Sequence, residues 1–384
     1  MRKVCVVITA RASYSRVKTV LVHLARRNDV ELQIVVAASA LADRAGRVSE
    51  VIKRDGFHVS EEVSSLVEGD TSLQMVQTTG LGLIEIGSVL KRLGPDVVVT
   101  IADRYETIAT AIAASYLRIP LAHIQGGEVT GNIDEKVRHA ISKLSDLHFV
   151  STLKSQQNVI SMGEDPRRVF LTECPSIDLA KNIEHRKPLD FSPFDKYGGV
   201  GERIDLSEKY LVVMQHPVTS ETELARNQAA NTLAVISRLN LPTMWFWPNV
   251  DAGADGTSKE IRRFREFNQS SKIHFFRNMS PEDFLVLINN CSALIGNSSV
   301  GIRESSYLGV PVVNIGTRQS GRESAENVLH CGYEPDELEI SIRRQIAHGR
   351  YESNRLYGSG NAGFLISEVL ATAELSTDKK LKFQ

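Results

Sequence analysis

The chain has 384 residues, 42% of them apolar, a formal net charge of -1 and four cysteines. That length exceeds what one hydrophobic core needs and suits two domains. The near-neutral charge argues against a nucleic-acid footprint or an electrostatic membrane anchor, and no run approaches the roughly 20 apolar residues of a membrane span. The amino terminus MRKVCVVITA is basic and then apolar, but the apolar run is only about seven residues and leads into Arg11 without a cleavage-like segment. It reads as a first β-strand of a cytoplasmic protein. Cys5, Cys174, Cys291 and Cys331 have no CxxC spacing, fit a reducing compartment and are expected to pack as small apolar residues.

In chain order, Lys3 to Thr9 reads as a strand and Ala12 to Arg26 as an amphipathic helix with Val17, Val20, Leu21 and Leu24 inward. The turn between them has no glycine, which argues against a dinucleotide-binding fold. Val30 to Ala38 is a strand, then come polar helical material, a strand over Phe57 to Val63 and a long helix over Ser72 to Leu93. Val97 to Ile101 is a fully buried strand, Tyr105 to Leu117 a helix and Ile119 to Ile124 the next strand. After a Gly131-Asn132 turn a further helix opens with Asp134 and Glu135, and Leu147 to Ser151 and Val169 to Leu171 complete the half. Periodicity is lost near Pro188 to Ser207, a linker or surface loop.

A second βαβα series follows. Strands are expected at Tyr210 to Met214, Pro242 to Trp247, Ile273 to Phe276, Ala293 to Ile295 and Val310 to Ile315. Helices are expected at Glu221 to Leu239, Lys259 to Asn268, Val300 to Leu308, and from Ser280-Pro281, where an N-cap serine precedes proline at the first helical position. The whole is an α/β chain of two doubly wound, Rossmann-like domains with an interdomain cleft. The divisions are 1–185, a 186–207 linker, 208–364 and a C-terminal helix and tail over 365–384 that packs back on the first domain.

Strands of open parallel sheets release ligand-binding residues at their carboxyl ends. Asp103 and Arg104 follow one strand; Gln125 and Glu128 follow the next, with Asp134, Glu135 and Arg138 opening the helix after it. Acids crowded at one edge can have their pKa values driven apart, supplying a proton donor and an acceptor. Asp103 is read as functional, because a carboxylate at a buried strand edge needs a partner, whereas Glu135 serves the helix dipole. In the second half Gly296-Asn297-Ser298-Ser299 is either an anion-binding turn or a tight turn of small residues. His216 and Asn249 sit at strand ends; each alone is more simply a loop hydrogen bond. Arg318, Arg322, Glu323 and Glu326 fold over a ligand or form surface pairs.

Several of these motifs, in order over about residues 1 to 335, resemble the hydrolysing UDP-N-acetylglucosamine 2-epimerases. They are Asp103-Arg104, the run His123 to Gly131, Ile133-Asp134, Arg138-His139-Ala140, Gln215 to Thr219, Trp247 to Gly253, Asn297 to Ser299, Gly301 to Glu304 and Gly309 to Gln319. The resemblance implies a GT-B-like fold and a reaction that eliminates UDP across C1 and C2 of a 2-acetamido sugar and adds water to give the 2-epimer. It implies a place in sialic or legionaminic acid synthesis, a UDP-sugar substrate, no cofactor or metal, and a homo-dimer or tetramer, for which Ser72 to Leu93 offers a long apolar face.

By the same resemblance, Arg11, Ser15, Arg104, His216, Asn249, Ser298, Ser299, Glu304 and Arg318 hold the nucleotide, its diphosphate or the sugar, Glu304 gripping the ribose. Asp103, Glu128, Asp134, Arg138 and Gln125 fall in the catalytic site. Some relatives have Glu in place of Gln125, in an acid/base role that an amide cannot perform. Glu128 or Asp134 then does the proton work, or the glutamine marks a different sugar or a weak enzyme. Ser13 also replaces an acid found in some relatives. A non-hydrolysing epimerase and a nucleotide-sugar-binding protein without catalysis are the alternatives.

Overall fold

Runs of Val, Ile and Leu without alternation must be buried on both faces, and they form the parallel strands of this protein. The computed structural model describes residues 1–42, 47–69, 71–130, 133–183, 189–248, 252–268 and 272–382. The chain divides into two units, one made of Met1–Val129, Ile133–Asp178 and Tyr357–Gln384 and the other chiefly of Leu179–Leu356.

The first unit contains β1 (Arg2–Ile8), β2 (Val30–Ala37), β3 (Glu61–Val63), β4 (Val97–Ile101), β5 (Leu121–Ile124), β6 (Leu147–Val150) and β7 (Val169–Leu171). They form a parallel sheet in the order β3-β2-β1-β4-β5-β6-β7. Strand order reverses between β1 and β4, where Val4 lies opposite Val97. Such a reversal opens a crevice at the carboxyl ends of the two strands. Alternate residues of β1 serve two cores. Val4, Val6 and Ile8 pack with Tyr14, Leu21 and Ile366, while Cys5 and Val7 pack with Ile86, Val89 and Leu90.

The helix Ala362–Thr372 returns to the first unit and packs on Arg11–Ala25. The Asp178 carboxylate accepts the N–H groups of Ala362 (2.9 Å) and Gly363 (2.7 Å) and the Thr19 hydroxyl (2.9 Å), tying the two helices. A side chain at position 363 would meet the Thr19 backbone at 2.7 Å, so glycine permits the approach.

The second unit contains β8 (Val200–Gly201), β9 (Leu211–Met214), β10 (Thr243–Phe246), β11 (Ile273–Phe276), β12 (Ala293–Gly296), β13 (Val312–Ile315) and β14 (Val328–Cys331). Their order is β14-β13-β12-β9-β10-β11-β8, parallel except for the edge strand β8. Here the order reverses between β12 and β9, with Gly296 opposite Met214. Both units are therefore doubly wound, as their alternating text implies.

Some local expectations are corrected. The helix expected over Val300 to Leu308 is two pieces, Ser299–Ile302 and Glu304–Leu308, broken at Arg303, which is buried and has ψ -75°. The helix expected from Lys259 begins at Ala254, after Gly253 in the left-handed region. The strand expected over Phe57 to Val63 is only Glu61–Val63. Within 186–207, Pro193–Tyr197 is helical and Val200–Gly201 pairs with β11, so its described residues join the second sheet.

Ser72–Leu93 buries Ile86, Val89 and Leu90 and leaves Leu73, Val76, Leu81 and Ile84 exposed. All four cysteines are buried and unlinked, and burial raises the Cys5 and Cys291 thiols to about 12. No described helix is long and apolar enough to cross a membrane. Among the described residues no cluster of three His, Cys, Asp or Glu could hold a metal.

Candidate functional site

Three strands of the first sheet are followed directly by a non-glycine residue in the left-handed region: Ala38 after β2 (φ +50°), Ala102 after β4 (φ +61°) and Gln125 after β5 (φ +67°). Such backbone costs on the order of 1 kcal/mol or more and persists where its surroundings over-determine it, often at functional sites. Ala102 delivers Asp103 into a buried position, 8% exposed. The helix Ile133–Leu144 places Asp134, Arg138 and Ser142 on one face at four-residue spacing.

Arg138, 1% exposed, donates through Nη2 to Asp103 Oδ2 and through Nη1 to the Glu128 carbonyl at 2.7 Å. Burial alone would lower the Arg138 pKa, but Asp103, Glu128 and Asp134 together hold it above its usual value. Arg16 Nη1 approaches the other Asp103 oxygen at 4.0 Å. Arg104 is held by Glu106, Nε to Oε1 2.8 Å, and its guanidinium lies 5.7 Å from the Tyr105 ring centre. Arg11 and Ser15 are half-buried at the start of the helix after β1; Ser15 Oγ donates to the Ala12 carbonyl at 3.1 Å. Residues following β1 and β4 thus border the reversal of the first sheet.

Gln125 is 1% exposed. Its amide nitrogen donates to Cys174 Sγ at 3.0 Å, while Oε1 has no partner among the described residues. The two glycines after it are required. A side chain at Gly127 would strike the Ser155 carbonyl oxygen at 2.2 Å, and one at Gly126 would press on Ser142 and His123 at 2.9 and 3.0 Å.

Those two side chains form a bridge. His123 Nε2 donates to the Ala102 carbonyl at 2.8 Å, and the Ser142 hydroxyl donates to Nδ1 at 3.1 Å. The backbone before Asp103 is so tied to the helix that carries Arg138. His123 is fully buried, and burial first, then the neighbouring His148 and Arg138, push its pKa down to about 3.

Between its ordinary pKa of 6.5 and about 3, the unfolded chain takes up a proton that the folded chain refuses. Stability therefore falls as pH drops through that window, by up to about 1.4 kcal/mol per pH unit from this group. His123→Gln removes the titration and is expected to flatten the loss of urea midpoint between pH 6 and 4 (approximate bounds of that window). A wild-type slope in the variant would mean that His123 is not the responsible group.

In the second unit Gln215 and His216 follow β9, and Asn297 and Ser298 follow β12. Ser298 caps the short helix Ser299–Ile302, its Oγ accepting from Val300 N at 3.5 Å; Ser298 and Ser299 are both half-buried. Glu304 is half-buried, and its Oε2, like Gln215 Oε1, is buried without a partner among the described residues. Arg318 Nη1 donates to the Asn297 carbonyl at 3.2 Å. Arg322 turns inward, 8% exposed, and donates to Gln319 Oε1 at 2.8 Å, so it is not a surface pair. Asn249 lies outside the described residues.

Sequence reasoning passed over four contributors: Arg16, Glu106, the His123–Ser142 bridge and Asn297. Arg16 stands five residues beyond Arg11 in the helix after β1 and Glu106 two residues beyond Arg104, both readable as charges near a strand end. Asn297 is fully buried; in the sequence it stands out as a member of the Gly296 to Ser299 turn and of a family motif, with no role of its own.

A family model described as UDP-N-acetylglucosamine 2-epimerase matches residues 22–371. The chain is 30% identical over 375 residues to the UDP-N,N'-diacetylbacillosamine 2-epimerase (hydrolyzing) of Legionella pneumophila subsp. pneumophila, covering 98% of this chain and 97% of the relative. It is 30% identical to the polysialic acid biosynthesis protein P7 of Escherichia coli, covering 93% and 92%. Among solved structures, Methanocaldococcus jannaschii UDP-GlcNAc 2-epimerase in complex with UDP-GlcNAc and UDP superposes with a TM-score of 0.79 at 18% identity, covering 96% and 99%. At that identity the likeness is one of fold.

Proposed function

The chain belongs to the UDP-N-acetylglucosamine 2-epimerase family, and from that premise we propose that it is a hydrolysing 2-epimerase of a UDP-activated 2-acetamido sugar. What carries the proposal is the buried Asp103–Arg138 pair, with Glu128 and Asp134 close enough to act on the guanidinium, at the reversal of the first sheet. The 30% identity to a relative named as hydrolysing supports the same choice.

The chemistry starts with loss of the C2 proton to a carboxylate of the first unit. The C1–O bond to the diphosphate breaks, its electron pair leaves with UDP, and a 2-acetamidoglucal remains. Water then adds its oxygen to C1, and a proton returns to the opposite face of C2. Asp103, kept ionised and oriented by Arg138, suits proton acceptance, and Glu128 and Asp134 are the groups to return a proton and guide water. Gln125 does not ionise and so cannot serve as general acid or base; it is available as a hydrogen-bond acceptor through Oε1.

In the second unit the Glu304 and Gln215 oxygens that lack a partner among the described residues are acceptors suited to ribose hydroxyls and uracil N–H. There Arg318 is suited to balance the diphosphate, with Ser298, Ser299, His216 and Asn249 in the ligand set, and Arg104, Arg11 and Ser15 are the first unit's own candidates for ligand contacts.

Proton and phosphorus NMR in deuterated water tests this with the UDP sugars of N-acetylglucosamine and diacetylbacillosamine in separate tubes. Free UDP is expected together with a manno-configured product deuterated at C2. Deuterated product still bearing UDP would replace the proposal with a non-hydrolysing epimerase, and UDP binding without turnover of either sugar with a binding protein.

A further inference from the structure

We propose that Asn297 is the positioning residue of the nucleotide half: one fully buried residue whose side-chain amide locks the loop after β9 and whose backbone carbonyl, so placed, receives the loop after β13. The proposal rests on the nucleotide reading of that unit. Asn297 is the first residue after β12, and β12 lies between β13 and β9 in the sheet. Its backbone N–H continues the ladder to the Met214 carbonyl at 3.1 Å. Its side chain then grips the next loop from both sides. Oδ1 accepts the His216 N–H at 2.7 Å, and Nδ2 donates to the His216 carbonyl at 2.8 Å.

Its own carbonyl faces the third loop and accepts two side-chain donors, Gln319 Nε2 at 2.9 Å and Arg318 Nη1 at 3.2 Å. Gln319, 2% exposed, is held in turn by Arg322. His216 therefore has its backbone fixed by an amide 81 residues away, and Arg318 is steered by the same residue. No other side chain matches an amide here. Serine is too short to span both backbone groups, aspartate puts a second oxygen against the His216 carbonyl, and alanine makes neither bond. Five hydrogen bonds on one residue at 0% exposure exceed what a turn of small residues needs.

A positioning role separates from a merely structural one in the kinetics. Asn297→Ala and Asn297→Asp are expected to raise KM for the sugar nucleotide and the UDP dissociation constant at least about tenfold, with a smaller change in kcat. A structural role would lower kcat through loss of folded enzyme and leave KM alone. Amide hydrogen exchange of the protein without nucleotide gives an independent readout: protection should fall in 215–219, where the side-chain bonds are lost, fall less in 316–322, whose donors reach the retained carbonyl, and be unchanged in β4 and β5.

UDP affinity within about twofold of wild type, or exchange in 215–219 that keeps the wild-type rate, overturns the proposal. Should neither variant fold, Gln319→Leu decides, with faster exchange expected in 316–322 and weaker UDP binding; no change in either overturns it. If the wild-type chain does not bind UDP, the nucleotide reading falls, while the exchange comparison still decides whether Asn297 holds the loops.

Discussion

Asp103→Asn is expected to lower kcat by about 10²- to 10⁴-fold while KM changes little, the range for loss of a general base. Asparagine keeps the shape of the side chain and removes its charge, so Arg138, 1% exposed, becomes a buried cation without its closest anion. Breaking a buried pair by removing one partner costs about 3–5 kcal/mol. The lower end applies here, because the Glu128 carbonyl still accepts from Arg138 and the charges of Glu128 and Asp134 remain.

Arg138→Leu should cost more than Asp103→Asn. It strips Asp103 of the Arg138 guanidinium, with Arg16 farther off at 4.0 Å, and removes the 2.7 Å donor to the Glu128 carbonyl. The double variant Asp103→Asn, Arg138→Leu separates stability from chemistry. With both charges gone, stability should recover by about 1–3 kcal/mol relative to the sum of the single losses, whereas activity should not recover at all. Urea midpoints and UDP release measure the two. Near-normal turnover by folded Asp103→Asn would remove that carboxylate from the chemistry.

Legibility followed the range over which each feature is determined. The helix Ser72–Leu93 is read to the residue because its signals are local: Thr71 and Gln74 form a capping box and Gly94 ends it in the left-handed region. Ser280 before Pro281 likewise marks its helix, the hydroxyl accepting from Asp283 N. β4 was legible because five consecutive apolar or β-branched residues can only be buried. The convergence of Asp103, Glu128, Asp134 and Arg138 followed from neighbouring strands that end at one edge.

What escaped depends on contacts remote in sequence. The helix break at Arg303 goes with complete burial of that side chain, which no helical periodicity encodes. The left-handed Ala102 and Gln125 carry no glycine to announce them; the His123–Ser142 bridge fixes the first, and the second donates its amide to Cys174. Asn297 bonds across 81 residues, so a turn reading could find its position but not its work.

Gly296→Ala carries the other large expected effect and tests whether the two strand tips flanking the second reversal are fixed. Gly296 has φ +137°, a region that is nearly closed to residues with a Cβ, where the backbone cost is on the order of 1–3 kcal/mol. The space is also occupied. An added Cβ would lie 2.0 Å from the Met214 carbonyl oxygen and 2.5 Å from its carbon, and neither can rotate away because both are backbone of β9. β9 and β12 would have to part where they deliver His216 and Asn297.

Gly349 separates the two costs. It has φ +75° and ψ -155°, yet nothing within 4 Å would meet its Cβ, so Gly349→Ala incurs the backbone cost alone. Gly349→Ala should lose about 1–3 kcal/mol and retain UDP binding, while Gly296→Ala loses more than about 3 kcal/mol and binds UDP poorly. At about 2–4 °C per kcal/mol for a unit of this size, the difference is readable as melting temperature. Equal losses with equal UDP affinity would mean that the tips of β9 and β12 move apart freely, and a rigid cradle built on His216 and Asn297 would then be untenable.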